Sequence, residues 1–345
     1  MALSRRGRLT LTIGGAVLAV LLLIGIVGMI SGGSPLAVVN KAVHHSPPPT
    51  CPLTGQTPKG GKVPQRPALA LKVENLPLAR PQTGLDAADI VYEEPVEAGI
   101  TRFIAVFQCT PAPRVEPIRS GRMEDPDILM QFDHPLFGYA GAVQAVINKV
   151  KRSGLHDVNY EKAASAYLRD PARYSPHNLY TSTAALWKLA PKNEGPPAPL
   201  FTYSVKPPVG ARPAHVVHLP FSSYSDVYWK WDRSKHAFSR WYGTTPADLS
   251  SGKIITASNV VVQVVNVTLT GIHDVNGVPS PFAHTVGSGK AYVLRNGKVI
   301  VGRWVRPSLS DTTKFVDASG KVIPLEPGNT WVELYSDKLP VTIQR

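Results

Sequence analysis

From Ala68 onward the chain breaks into short apolar runs separated by Pro, Gly and Asp. The runs "ALALKV" (68–73), "ADIVYEE" (88–94) and "ITRFIAVFQ" (100–108) have the length and composition of strands. In "GYAGAVQAVINKVKRSG" a short strand gives way to helical spacing at Ala142, Ala145, Val146 and Lys149, with Gly154 as the stop. "TSTAALWKLAP" opens on a Thr/Ser cap, places Leu186 and Leu189 on one side and stops before Pro191, so it predicts a second helix. Beyond the Pro-rich stretch 191–213 nearly every apolar run reads as strand: "HVVHLPF", "SDVYWKWD", "AFSRWYG", "NVVVQVVNVTL", "KAYVLRNGKVIVGRWVR" and "KFVDASGKVIPL". Asn296–Gly297 is a type I′ hairpin signal. The pattern predicts an α+β protein, with a mixed α/β N-terminal domain (67–195), a joint (196–213) and a mainly β C-terminal domain (214–345).

One run is of another kind. Leu9–Ile30 holds 22 uncharged residues, enough to span roughly 33 Å as a helix, a bilayer's apolar thickness. Arg5, Arg6 and Arg8 precede it, in a basic tip (1–8), and no charge follows until Lys41. The sequence thus predicts a transmembrane anchor (9–30) with a cytoplasmic N-terminus and the bulk of the chain outside. A cleaved signal peptide is the rival, but its apolar core is usually shorter and no A-x-A site follows Ile30. Residues 31–66 are Pro-, Gly- and Thr-rich and read as a tether.

Charge and cysteine content sharpen the compartment. The net charge is +13, and residues 201–345 carry 16 Lys/Arg against 9 Asp/Glu. That favours an anionic partner or surface, while the anchor argues against nucleic acid. Cys51 and Cys109 are the two cysteines, both beyond the anchor. An even pair outside the membrane predicts a disulfide, against the alternative of two free thiols. With no C-x-x-C and no spaced histidine pair, neither a metal nor any other cofactor is expected.

The candidate chemistry centres on "RVEPIRSGRMEDPD" (114–127). Arg119 and Arg122 flank Ser120 and Gly121, a spacing that could make a fork for phosphate or carboxylate, with Gly121 permitting close approach. Arg102, in "GITRF", is a third candidate. The competing reading pairs these arginines with the chain's own acids, among them Glu93, Glu94 and Glu97. "YEEPVEAG" offers three carboxylates, but strand geometry sends Glu93 and Glu94 to opposite faces, against a catalytic dyad. His177 and Asn178, in "SPHN", precede a predicted helix and are the remaining ligand candidates. "GSGK" (287–290) lacks the P-loop frame and reads as a turn. Trp229, Trp231, Trp241, Trp304 and Trp331 could stack on sugar rings or form the core of the β domain.

"RPALALKVENLPLARPQTGLDAADIVYEEPVEAGITRFIAVFQ", "PIRSGR", "SPHNLYTS" and "GNTWVELY" resemble the YerB-like lipoprotein family over about residues 51–340. The resemblance implies a two-domain extracytoplasmic envelope protein and supplies no reaction. Lipoprotein members carry an acylated Cys directly after the signal, and here Cys51 lies too far along. Two functions follow as expectations. One is a membrane-anchored binding or scaffold protein that recognises an anionic wall polymer or an envelope protein. The other is an envelope transferase or hydrolase acting on a phosphate- or carboxylate-bearing glycan precursor. No complete nucleophile–base set is legible, which favours the first.

Overall fold

The computed structural model describes residues 48–274 and 276–345, and residues 49–345 form one compact unit. The apolar run Leu9–Ile30, and with it the anchor reading, lies outside the described residues. Among the described residues no helix is long and apolar enough to cross a membrane.

The elements, in chain order, begin with β1 (Leu69–Glu74), β2 (Ile90–Pro95), β3 (Thr101–Phe107), α1 (Asp125–Leu129), β4 (Leu136–Gly138), α2 (Gln144–Arg152) and β5 (His156–Asp157). A small hairpin, β6 (Tyr167–Arg169) and β7 (Leu179–Thr181), precedes α3 (Thr183–Trp187). Then come β8 (Arg212–Pro213), β9 (Val216–Ser222), β10 (Ser225–Asp232), β11 (Ala237–Tyr242), β12 (Thr245–Pro246) and β13 (Thr256–Ala257). The remainder is β14 (Asn259–Val265), β15 (Val267–His273), β16 (Pro279–Ala283), β17 (Gly287–Arg295), β18 (Lys298–Arg306), β19 (Lys314–Val316), β20 (Thr330–Ser336) and β21 (Thr342–Gln344).

Two mixed or antiparallel sheets dominate, and helices are few and short. The larger has eleven strands in the order β19-β18-β17-β14-β20-β2-β3-β1-β4-β5, with β8 beside β18. It runs through both halves of the sequence: β20 pairs in parallel with β2 on one side and with β14 on the other. The smaller has six strands, β12-β11-β10-β9-β21 with β13 beside β11. Sequence patterning assigned the strands to separate regions, but it carries no information on which strand pairs with which across 240 residues.

Both faces of the large sheet are covered. Leu69, Leu71, Val73, Phe103 and Phe107 point to one core, which the small sheet completes with Val217, Trp229 and Phe238. Ala70, Ile90, Ile104, Val106 and Phe137 point to the other, where α1 and α2 add Ile128, Leu129, Val146 and Val150. This is the period-two alternation of a strand buried on both sides. Trp229, Trp304 and Trp331 lie in these cores, which decides the tryptophan question for those three. The stretch 287–290 is not a turn: it opens β17, and Gly289 is held under the Trp304 indole, where a Cβ would come within 2.5 Å of Nε1. At Asn296 and Gly297 φ is 51° and 64°, the positive pair that the hairpin signal requires.

The Pro-rich segments are packed where they are described. Leu53 and Cys51 are buried, and Tyr203 lies against Gly55. Phe201 packs on Phe315 at 5.7 Å between ring centroids. Cys51 and Cys109 form the expected disulfide, with Cα atoms 5.9 Å apart. It ties residues 49–56 to the end of β3 and closes a 58-residue separation. Replacing both cysteines by Ser is expected to cost about 2–4 kcal/mol. Denaturant unfolding of the parent and the double variant measures this, and superimposable curves would show that the bond constrains nothing.

Candidate functional site

Strand register assembles the site. Glu74 on β1, Arg102 on β3 and Glu94 on β2 are direct cross-strand neighbours, so their side chains leave the large sheet on one face at one end. The "RSGR" loop crosses this end, fixed by backbone bonds from Arg119 N to Lys72 O (2.9 Å) and from Gly121 N to Gly141 O (3.1 Å). Gly121 is confined between the Tyr139 ring and the Asp125 carboxylate, where a Cβ would meet atoms at 3.3 and 3.4 Å. The Asp125 carboxylate also accepts the Arg122 backbone N–H at 2.6 Å.

A cleft of about 510 Å³ opens here. Arg102, Arg119, Ser120, Gly121 and Arg122 line it from the N-terminal half. Ile272, Asp274, Asn276 and Ser280, from the β15–β16 hairpin and its turn, line it from the C-terminal half. Thus the three arginines that stand out in the sequence do share one cleft, and the competing reading holds for two of them. Arg119 Nε lies 3.1 Å from Glu74, and Arg122 Nε donates to Glu97 at 3.0 Å. Ser280 also donates to Glu97, at 2.5 Å. Burial opposes the Glu97 charge, but the Arg122 and Ser280 bonds overcome it and hold its pKa below the ordinary value.

Arg102 differs. It is 6% exposed, lines the cleft and makes no ion pair within 4.0 Å among the described residues. Its Nη1 donates to the Ser120 carbonyl at 3.2 Å, while Nε has no partner. Burial, and then the like charges of Arg122 and Arg119, push its pKa down to about 9, so the guanidinium is still cationic at neutral pH.

Across the cleft lies the start of α2. Gly141, Ala142 and Val143 line the wall, Val143 is the N-cap, and no side chain caps the helix. The first turn holds no acid. Among the described residues the Gln144 and Ala145 N–H groups lack an acceptor and this end carries a partial positive charge, while the nearby Gly141 N–H is taken by the Glu161 carboxylate at 2.9 Å.

The other sequence candidates lie elsewhere. His177 Nδ1 is 2.8 Å from Glu74, so it reaches the arginines only through that carboxylate and is not part of the cleft wall. Asn178 accepts from Arg169 at 2.9 Å and donates to the Asp170 and Arg173 carbonyls, bonds that hold its own loop. Glu93 and Glu94 diverge as strand geometry requires: Glu93 meets Arg240 at 2.6 Å on one face, and Glu94 meets Lys72 on the other. Among the described residues no group of three or more His, Cys, Asp or Glu could hold a metal.

Sequence reading missed Glu74 and the α2 N-terminus. The helix itself was legible, but Gly141–Val143 carry no side-chain signal, and their role comes from where the loop places them.

Comparison with known proteins places the chain in a family. Residues 53–196 match the N-terminal domain, and residues 217–332 the C-terminal domain, of "Protein of unknown function (DUF3048)". The chain is 27% identical over 302 residues to "Putative lipoprotein YerB" of Bacillus subtilis (strain 168), covering 83% of this chain and 86% of that protein. The crystal structure of the YerB protein from Bacillus subtilis superposes with a TM-score of 0.72 at 24% identity, over 85% of this chain and 99% of that one, which shows a shared fold. With both domains matched in order, the chain belongs to the DUF3048 family, as the resemblance to YerB-like lipoproteins implied.

Proposed function

We propose that this is an extracytoplasmic binding protein, held at the membrane of a bacterial envelope, whose arginine cleft recognises an anionic group of a wall component. The observation that carries the reading is Arg102: a buried guanidinium with an unpaired Nε, facing an open cleft and an uncapped helix start. Burying a cation without a counter-ion is costly, and a bound anion would offset that cost. The compartment reading rests on the relative's printed name, the disulfide and the apolar run Leu9–Ile30. N-terminal sequencing of the membrane-extracted protein is expected to begin at the original N-terminus. A start near Ser34 would replace the anchor with a cleaved signal.

Arg102→Gln is expected to weaken binding of an anionic wall fragment by about 1.5–3 kcal/mol, the range for a hydrogen bond to a charged group. The fold should lose little, because no carboxylate is stranded. Calorimetric titration of parent and variant reads this directly, and equal affinities would remove Arg102 from the site.

The transferase or hydrolase reading gains one pairing, His177 with Glu74. The Glu74 carboxylate is shared with Arg119, however, and His177 does not line the cleft, so a binding role fits the geometry better.

A further inference from the structure

Resting on that reading, we propose that the cleft takes the free C-terminal carboxylate of a short peptide with small apolar side chains.

Charge points to a monoanion. Three guanidiniums, Arg102, Arg119 and Arg122, share the cleft with three carboxylates, Glu74, Glu97 and Asp274. Glu74 and Glu97 are committed to Arg119 and Arg122. Backbone bonds from Val278 and Asn276 to the Asp274 carboxylate, at 2.8 and 2.9 Å, hold its pKa below the ordinary value, so it too is charged at neutral pH. Arg102 has no direct ion pair among the described residues, yet three cations face three anions, so the wall carries no surplus of positive charge. A ligand with one negative charge at Arg102 is accommodated. A phosphate monoester, which carries roughly −1.5 to −2 at neutral pH, brings its extra charge against the three acids.

Shape points to a carboxylate. Nη1 of Arg102 is committed to Ser120, which leaves Nε and Nη2 without a partner among the described residues. A planar carboxylate matches a guanidinium edge, and the Gln144 and Ala145 N–H groups at the start of α2 could donate to its other lone pairs.

The lining around the arginines is apolar. Leu76, Ile100, Ala142, Val143 and Ile272 are half-buried apolar side chains around the charged centre. They suit methyl-sized side chains beside the carboxylate. A volume of about 510 Å³ lies within the usual range for ligand sites, roughly 300–1,000 Å³.

The test titrates the full-length protein with N-acetyl-alanyl-alanine in its L,L and D,D forms, with the C-terminal amide of each, and with dimethyl phosphate and inorganic phosphate. At least one acid should bind roughly 10-fold or more tightly than its amide, and inorganic phosphate should bind more weakly than that acid. The stereoisomer that binds tells an ordinary protein C-terminus from a peptide built on D-residues. Arg102→Gln should abolish the acid–amide difference. Val143→Asp gives a second variant: an acidic N-cap completes the helix end, so the fold should be retained, while its charge should exclude the ligand. Dimethyl or inorganic phosphate binding more tightly than both acids would overturn the carboxylate assignment and leave the anion site standing. If no anion binds, or if all bind equally to parent and both variants, this proposal and the anion-site reading fall together.

Discussion

Arg240→Ala is expected to cost about 3–5 kcal/mol of stability, because it strands buried carboxylates. Arg240 on β11 is fully buried, 2.6 Å from Glu93 on β2 and 3.1 Å from Glu333 on β20. Both acids are fully buried too, and Trp229 donates its indole N–H to Glu333 at 2.7 Å. The guanidinium also lies 5.1–5.4 Å from the rings of Phe103, Trp229 and Trp331. This cluster joins the six-stranded sheet to the eleven-stranded one. Burial, and then the nearby Glu93 charge, push the Glu333 pKa up. In the variant the raised pKa means that protonation relieves the stranded charge, so the loss should shrink as pH falls toward 5 and grow as it rises. Combining Arg240→Met with Glu93→Gln and Glu333→Gln should recover much of the loss, since it removes the charges together. Urea unfolding at pH 5 and pH 8 checks the magnitude and its direction. A loss below about 1 kcal/mol at both pH values would mean that the cluster is not what joins the sheets.

Strands were legible because their signal is local. The runs at 68–73, 88–94 and 100–108 became β1, β2 and β3 with shifts of one or two residues at the ends. The opposed directions of Glu93 and Glu94 were legible for the same reason. Pairing was not: nothing in "GNTWVELY" shows that Trp331 will sit beside Val91. The site divides along the same line. Its arginines stand out by residue type, and spacing brought Arg119 and Arg122 together on one loop. Their acids could not be assigned. Glu74 reaches Arg119 because the segment 117–119 runs antiparallel along β1, with Ile118 bridged to Val73 and Arg119 N bonded to Lys72 O, and Glu97 reaches Arg122 because a sharp turn, with Ala98 at φ 58°, brings it back over the loop. The hairpin wall from β15 and β16 comes from more than 140 residues away along the chain, where composition gives no hint of it.

Beneath the cleft, Lys72→Met is expected to cost about 3–5 kcal/mol. Lys72 is fully buried on β1 and bonds to both Glu94 and Asp125, the latter at 2.6 Å. Asp125 in turn holds the Arg122 backbone, so the same lysine supports the arginine loop. Glu124 is also fully buried beside this cluster, and neither carboxylate oxygen has a partner. Burial, and then the Asp125 charge, push the Glu124 pKa up to about 8. A carboxyl group whose pKa rises on folding binds more protons folded than unfolded. Its contribution is therefore fully present below the unfolded value, about 4.5, and is lost as pH rises through about 8. Glu124→Gln should flatten the decline in stability across that window and leave the variant about 1–3 kcal/mol more stable than the parent at pH 9, where an unpaired buried charge is removed. Lys72→Met should steepen the decline, because Glu124 then ionises beside two uncompensated acids. Urea midpoints at intervals from pH 4.5 to 9 separate the outcomes. Parallel pH profiles for parent and Glu124→Gln would show that Glu124 is not the group that titrates, and a Lys72→Met protein as stable as the parent would mean that the lysine is not needed to neutralise Glu94 and Asp125.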